Sequence, residues 1–297
     1  MWWQQAWLYI YFTFLRGMIK WLLHKITGAC ELQRICRKYE PGAKRTKKIE
    51  SSLRSSRTAV VKKALTNEII IDVAINNIML VKGIIAEEDP GFAPALNVCL
   101  TQIRGYKKLV TEVDSLRKTP YNSDDSEHEN MLTQFWELLM PNNKLQGRIT
   151  KQWGEIGFQG DDPKTDFRGM GMLGLHNLVF FASHFNNEAR QTLSHSHHPK
   201  FGYSFAIVGI NITSMACYLL NQGILKVHFY NLTQSEPSMA EFHQVYCYLL
   251  FEFDKFWFKE KPRDVMEFSR IREKFQKKIT KMLKDQHQVL EGCFFRS

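Results

Sequence analysis

Cysteine is sparse in this chain: six in 297 residues (Cys30, Cys36, Cys99, Cys217, Cys247 and Cys293), with no C-x-x-C pair. That spacing suits neither a zinc site nor a disulfide framework, and it fits a reducing, cytosol-facing location. Cys99, Cys217 and Cys247 fall in apolar helical patterns, where a free thiol packs as a small hydrophobe. Alternating strand patterns and repeat periods are also missing, so neither a sheet nor a repeat array is expected. No basic start leads into a small-residue cleavage site, so no secretory leader is expected. The sequons at Asn211 and Asn231 then read as coincidental. No P-x-x-P motif occurs.

Hydrophobic residues make up 44% of the chain and aromatics 13%, ample for a substantial core. The net charge is +10 and is unevenly placed. Residues 1–63 hold 14 Lys+Arg against 3 Asp+Glu, a net of +11, which leaves −1 for the other 234. The basic character belongs to an N-terminal arm. No nucleic-acid recognition motif accompanies it, so no nucleic-acid partner is expected.

Residues 1–15 carry no formal charge and include Trp2, Trp3 and Trp7. Spanning a bilayer takes roughly 20 apolar residues, and Arg16 and Lys20 interrupt this run. Wound as a helix, Gln5, Tyr9, Thr13, Arg16, Lys20, His24 and Thr27 share a narrow stripe, with aromatic and aliphatic residues around the rest. The reading favoured is a helix over 1–28 lying in a membrane interface, with Arg16, Lys20 and Lys25 near phosphates. A spanning anchor, or packing onto the protein's own core, are the alternatives. The basic stretch 29–63 would add attraction to an anionic leaflet.

From residue 64 the pattern is helical almost throughout, which predicts an all-α fold. Gly83, Pro120 and Gly223 mark helix ends, Ser126 with Glu129 reads as a capping box, and Pro237 and Pro262 open helices. The inner face of the last helix is expected to hold Val265, Phe268, Ile271, Phe275, Ile279 and Met282. The expected division is 1–28 membrane-directed helix, 29–63 basic arm, 64–285 helical domain and 286–297 tail. The longest loop-like stretch, 146–171, carries Trp153, Phe158 and Phe167. Its length and aromatics mark an ordered, functional loop.

Several chemistries can be weighed there. Gly169, Gly171 and Gly174 match a dinucleotide G-x-G-x-x-G string, but Pro163 to Arg168 precede it where a strand is required. His195, His197 and His198 lie in a Ser/Pro context without the partners of a tetrahedral site, so no metal is expected. Asp161, Asp162 and Asp166 lack calcium-loop spacing and suit turns and caps. Arg168 admits two readings. It is either paired with Asp166 or Asp162, or it is a planar fork offered to a partner's phosphates on a glycine-shaped hairpin.

The pattern formed by Trp153, Gly157-Phe158-Gln159, Pro163, Asp166-Phe167-Arg168-Gly169, Gly171, Leu175 and Leu178 resembles the signature of the ELMO domain family, in its GTPase-activating subgroup. CELQRIC at 30–36 and GYSFAIVGINIT at 202–213 extend the resemblance over nearly the whole chain. It implies a single helical ELMO-type domain that speeds GTP hydrolysis by Arf-family and Arf-like GTPases, with Arg168 as the essential arginine in a loop over 146–178. Gly169 and Gly171 are expected to permit close approach and Asp166 to orient the guanidinium. Gln159 would hold the loop or touch the GTPase, and Trp153 and Phe158 would buttress it. The chain then needs no cofactor of its own, because Mg²⁺ and GTP arrive with the partner. The expected location is the cytoplasmic face of intracellular membranes (endoplasmic reticulum, lipid droplet or mitochondrion). The rival reading is a non-catalytic scaffold, since engulfment-type members use this domain in adaptors.

Overall fold

Segments with apolar residues at three-or-four spacing form helices whose ends carry the expected stop signals. The structure is a computed structural model that describes Trp3 and residues 16–292. Among the described residues all regular structure is helical. The helices are α1 (Arg16–Thr27), α2 (Glu31–Lys38), α3 (Ala43–Arg54), α4 (Ala59–Lys63), α5 (Ile71–Lys82), α6 (Phe92–Lys118), α7 (Ser126–Leu139), α8 (Gly171–His184), α9 (Asn186–Ser196), α10 (Phe205–Asn221), α11 (Lys226–Leu232), α12 (Met239–Glu260) and α13 (Phe268–Met282). Short 3₁₀ turns occupy Lys151–Ile156, Pro163–Arg168 and Val265–Glu267.

The chain divides into two compact units. One comprises 1–105 with 230–236, the other 106–229 with 237–297. In the first unit, the segment expected to be a basic arm is folded. Leu32, Ala43, Ile49 and Leu53 are buried, because α2 and α3 each turn one face inward at helical spacing. Its charges are partly neutralised: Arg37 pairs with Asp89 at 2.9 Å, and Arg54 with Glu50 at 2.7 Å. The buried Gln102 amide donates to the carbonyls of Tyr230 and Thr233 (3.0 and 2.5 Å), which ties 230–236 into this unit.

Among the described side chains of α1, Lys20 alone is half-buried and the others are exposed. Lys20 pairs with Glu31 at 2.5 Å, while Met18, Leu22 and Ile26 are 60%, 50% and 71% exposed. Lys20, expected near phosphates, here holds α2 through Glu31. Trp3 is exposed, whereas Trp2 and Trp7 lie outside the described residues. No single described helix is long and apolar enough to cross a membrane.

The second unit is built on α8 and α10, most of whose residues are buried, with α12 supplying Phe242, Tyr246, Leu249, Phe253 and Trp257. Two expectations change here, and one cap is new. The α7 cap is Asp125, which accepts the Glu127 and His128 amides at 2.9 and 3.5 Å; Ser126 is already helical and Glu129 points elsewhere. Ser238 and Glu241 form a true capping box at α12. Val265 is exposed, because the chain makes a 3₁₀ turn there before α13 begins, so Ile271, Phe275 and Ile279 carry its buried face.

Candidate functional site

The segment between α7 and α8 folds as two 3₁₀ turns joined by residues 157–162. Aromatic packing fixes its inner side. Trp153 is fully buried, meets Trp136 and Phe158 edge-on at 5.7 and 5.9 Å, and donates its indole N–H to the Arg148 carbonyl at 3.0 Å. Phe158 meets Phe135 and Phe167 edge-on at 6.2 and 5.6 Å, and Phe167 stacks on Tyr121 at 5.3 Å. Aromatic pairs of this geometry add about 0.5–1.5 kcal/mol each beyond burial. Pro163 is buried behind its turn.

Two glycines in the segment do structural work on the protein's own backbone. Gly157 has φ +84°, and a Cβ there would lie 2.2 Å from the Phe205 nitrogen; its carbonyl accepts the Ile207 amide at 3.2 Å. Gly171 has φ +51°, and a Cβ would lie 2.3 Å from the Thr119 carbonyl oxygen. The close approach that Gly171 permits is to the end of α6. Gly169 differs: it is exposed, has an ordinary φ of −83°, and nothing stands within 4 Å of its Cβ position.

A caged arginine ties this segment to its surroundings, and it is Arg148. Its guanidinium lies 2.5 Å from Glu129 and 2.9 Å from Asp162, and 5.8 Å from the centre of the Tyr121 ring. Arg148 thereby bridges the two carboxylates. Tyr121 donates its hydroxyl to Glu129 at 2.5 Å. Burial, and then the Glu129 carboxylate, raise the Tyr121 pKa, so it stays a neutral donor. Asp162 also accepts the Lys164 amide at 2.9 Å, capping the second turn. Sequence reasoning missed this cage because Glu129 looked like a cap. The one available signal was an arginine within reach of the Asp-rich turn.

Arg168 ends that second turn and is exposed. Neither carboxylate suggested as its partner holds it: Asp162 belongs to Arg148, and Asp166 accepts the Gln159 amide at 2.7 Å. Among the described residues Arg168 makes no hydrogen bond and no ion pair. The Asp166 carboxyl is raised above the usual range by burial, a shift opposed by the Gln159 N–H and by the charge of Arg168. Asp166 therefore braces the 157–160 turn, and no ion pair links it to Arg168. The Gln159 side chain is exposed, and its backbone does the holding. In a 3₁₀ turn residues three apart share a side, so Thr165 and Arg168 face solvent while Phe167 points inward. The arrangement presents, on a packed and water-facing turn, a guanidinium with no hydrogen bond or ion pair among the described residues.

The other polar candidates are committed to the fold. His195, in the last turn of α9 and not in a loop, lies 2.7 Å from Asp254; the Tyr203 hydroxyl donates to the same carboxylate at 2.7 Å. His197 donates to the Glu155 carbonyl at 2.7 Å, and His198 accepts the Lys200 and Phe201 amides. Burial pushes the Cys36 and Cys217 thiols up to about 12, which leaves them inert as nucleophiles.

A family model described as the ELMO/CED-12 family matches residues 111–272. The chain is 53% identical to ELMO domain-containing protein 2 of Bos taurus, an alignment covering 94% of this chain and 95% of that one. It is 48% identical to ELMO domain-containing protein 1 of Mus musculus, over 96% and 93%. Against ELMO domain-containing protein B of Dictyostelium discoideum it is 36% identical, over 90% and 94%. No solved structure matches the chain.

Proposed function

The chain belongs to the ELMO/CED-12 family, and from that premise we propose that it is a GTPase-activating protein. Its substrate is an Arf-family or Arf-like small GTPase carrying GTP and Mg²⁺. The observation that carries this reading is Arg168: an exposed guanidinium without a partner among the described residues, on a turn held from beneath by Phe167, Phe158 and Trp153. A structural arginine would be caged, as Arg148 is.

In the reaction, water attacks the γ-phosphorus and the bond from that phosphorus to the β–γ bridging oxygen breaks, giving GDP and inorganic phosphate. Negative charge moves towards the bridging oxygen and the γ-phosphoryl oxygens. Arg168 places its fork against them, and such an arginine is worth about 10³–10⁵ in rate. That corresponds to roughly 4–7 kcal/mol of barrier at about 1.4 per decade. Gly169, open to solvent, lets the partner's surface come close to the arginine. Rigidity matters because the transition-state contact is made without ordering a loose loop first.

The exposed apolar side of α1 supports placement on the cytoplasmic face of an intracellular membrane, where a membrane-attached GTPase would be met at high effective concentration. The test is single-turnover GTP hydrolysis on a panel of Arf, Arf-like, Rho and Rab GTPases, with and without this protein. Stimulation confined to Arf-type members is expected. Binding without stimulation anywhere in the panel would replace the activator with a scaffold.

A further inference from the structure

We infer that the first unit holds a binding site for the phosphate-bearing headgroup of an anionic phospholipid, in the cavity between α1 and the turn that follows α3. The inference rests on the membrane-directed reading of the N-terminal segment and adds a specific lipid contact to it.

The cavity has a volume of about 520 Å³, within the range of roughly 300–1,000 Å³ found for small-molecule sites. Gly17, Lys20, Trp21 and His24 line one wall, the spacing of a single face of α1. The opposite wall is the 55–58 turn, where Ser56 and Thr58 supply hydroxyls and Arg57 a guanidinium, and Lys82 at the end of α5 brings an ammonium. Glu31 is the one carboxylate among the lining residues. It is already engaged by Lys20 at 2.5 Å and by the Ser52 hydroxyl at 2.6 Å. Arg57 and Lys82 have no carboxylate within ion-pair distance among the described residues. Two cations without a carboxylate partner among the described residues and several hydroxyl-bearing residues line one cavity, a donor set suited to a phosphate.

The surroundings decide for a lipid over a soluble phosphate. The side of α1 turned away from the cavity exposes Met18, Ile19, Leu22, Leu23 and Ile26. Beside Lys82, Leu80 is 82% and Ile85 51% exposed. Apolar residues standing in water around a cationic cavity are unfavourable for a soluble protein, and they fit a surface pressed into acyl chains with its cations at headgroup depth.

The experiment is flotation of the full chain with phosphatidylcholine vesicles, and with vesicles in which about a quarter of the lipid is replaced by phosphatidylinositol. Arg57→Glu with Lys82→Glu is compared with Lys277→Glu and Lys281→Glu, which change the charge equally on exposed positions of the second unit. The expected result is that the cavity variant loses on the order of tenfold or more of the binding gained from the anionic lipid. It should float like wild type on neutral vesicles, and the control pair should keep the anionic gain. Equal loss in both variants, or none in the cavity variant, would overturn the site while leaving neutral binding intact. Failure of wild type to float on either vesicle would overturn the membrane reading together with the site. Soluble glycerophosphoinositol should compete weakly; full competition would assign the cavity to a free phosphate compound and overturn the lipid. None of these outcomes touches GTP hydrolysis, which tests the arginine separately.

Discussion

Arg148 and Arg168 lie in one ordered segment, and their guanidinium groups have opposite surroundings. Arg148 sits among Glu129, Asp162 and the face of Tyr121, whereas Arg168 faces water beyond any hydrogen bond or ion pair among the described residues. A charge that only stabilised the fold would gravitate to the first environment. The second is informative because the backbone around it is so firmly held: Asp166 grips Gln159, Gly157 is locked on α10, and Gly171 on the end of α6. The backbone fixes the position of Arg168 with no hydrogen bond or ion pair to its guanidinium among the described residues.

The sharpest way to break this contrast is Arg168→Ala. GTP hydrolysis by the partner is expected to lose nearly all of its stimulation, about 10³–10⁵-fold. Thermal unfolding should shift by no more than about 0.5 kcal/mol, as for an exposed surface change. A large loss of stability would show that Arg168 has a structural partner after all. Trp153→Ala should act in reverse: it empties a buried site and costs about 3–5 kcal/mol in denaturant unfolding, with activity falling as a consequence.

The glycines sharpen the same division. Gly157→Ala forces a side chain into backbone at positive φ and is expected to cost roughly 2–4 kcal/mol. Gly169→Ala should leave stability within about 0.5 kcal/mol and lower stimulation by crowding the partner. Melting curves paired with single-turnover rates separate the two. Arg148→Gln should cost about 1–2 kcal/mol, less than a fully buried pair because the cage is partly open to solvent. Its activity should follow stability, and be restored wherever the fold is restored by cooling.

A further expected effect is on pH. Burial lowers both His228 and His243 to about 4 from an ordinary value near 6.5. Both are neutral in the folded protein: His228 accepts the Leu290 amide at 3.0 Å, and His243 lies 2.6 Å from the Asn177 side-chain Oδ1. Their contribution is full above the unfolded value and is lost as pH falls towards 4. Between pH 6.5 and 5.5 the second unit should lose about 1 kcal/mol per histidine, read as a falling midpoint whose slope about halves in His243→Gln.

Much of this was readable from residue order alone. Helical periodicity, stop glycines and prolines, and the segment from Trp153 to Gly171 identified an all-α chain and its candidate arginine. What stayed hidden was whatever depends on residues distant in sequence meeting in space. Glu129 could cap a helix or bind Arg148, and local spacing favoured the wrong partner. Gly171 looked available to a second protein, yet the α6 carbonyls occupy its open side. The basic stretch 29–63 read as an arm because its charge outweighs its few apolar residues, though Leu32, Ile49 and Leu53 suffice to bury it. The exposed apolar side of α1 was foreseeable from its composition, while the pairing of Lys20 with Glu31 was not.

The central claim is that Arg168 acts in the transition state and not in the fold. The most direct measurement is single-turnover GTP hydrolysis by a responsive Arf-type GTPase with Arg168→Lys, alongside the melting temperature and partner affinity of the same variant. Lysine keeps the charge and loses the planar fork. Stimulation reduced by at least about a hundredfold, with stability and affinity unchanged, is the predicted result. Full stimulation by the lysine variant, or a loss matched by unfolding or lost binding, would contradict it.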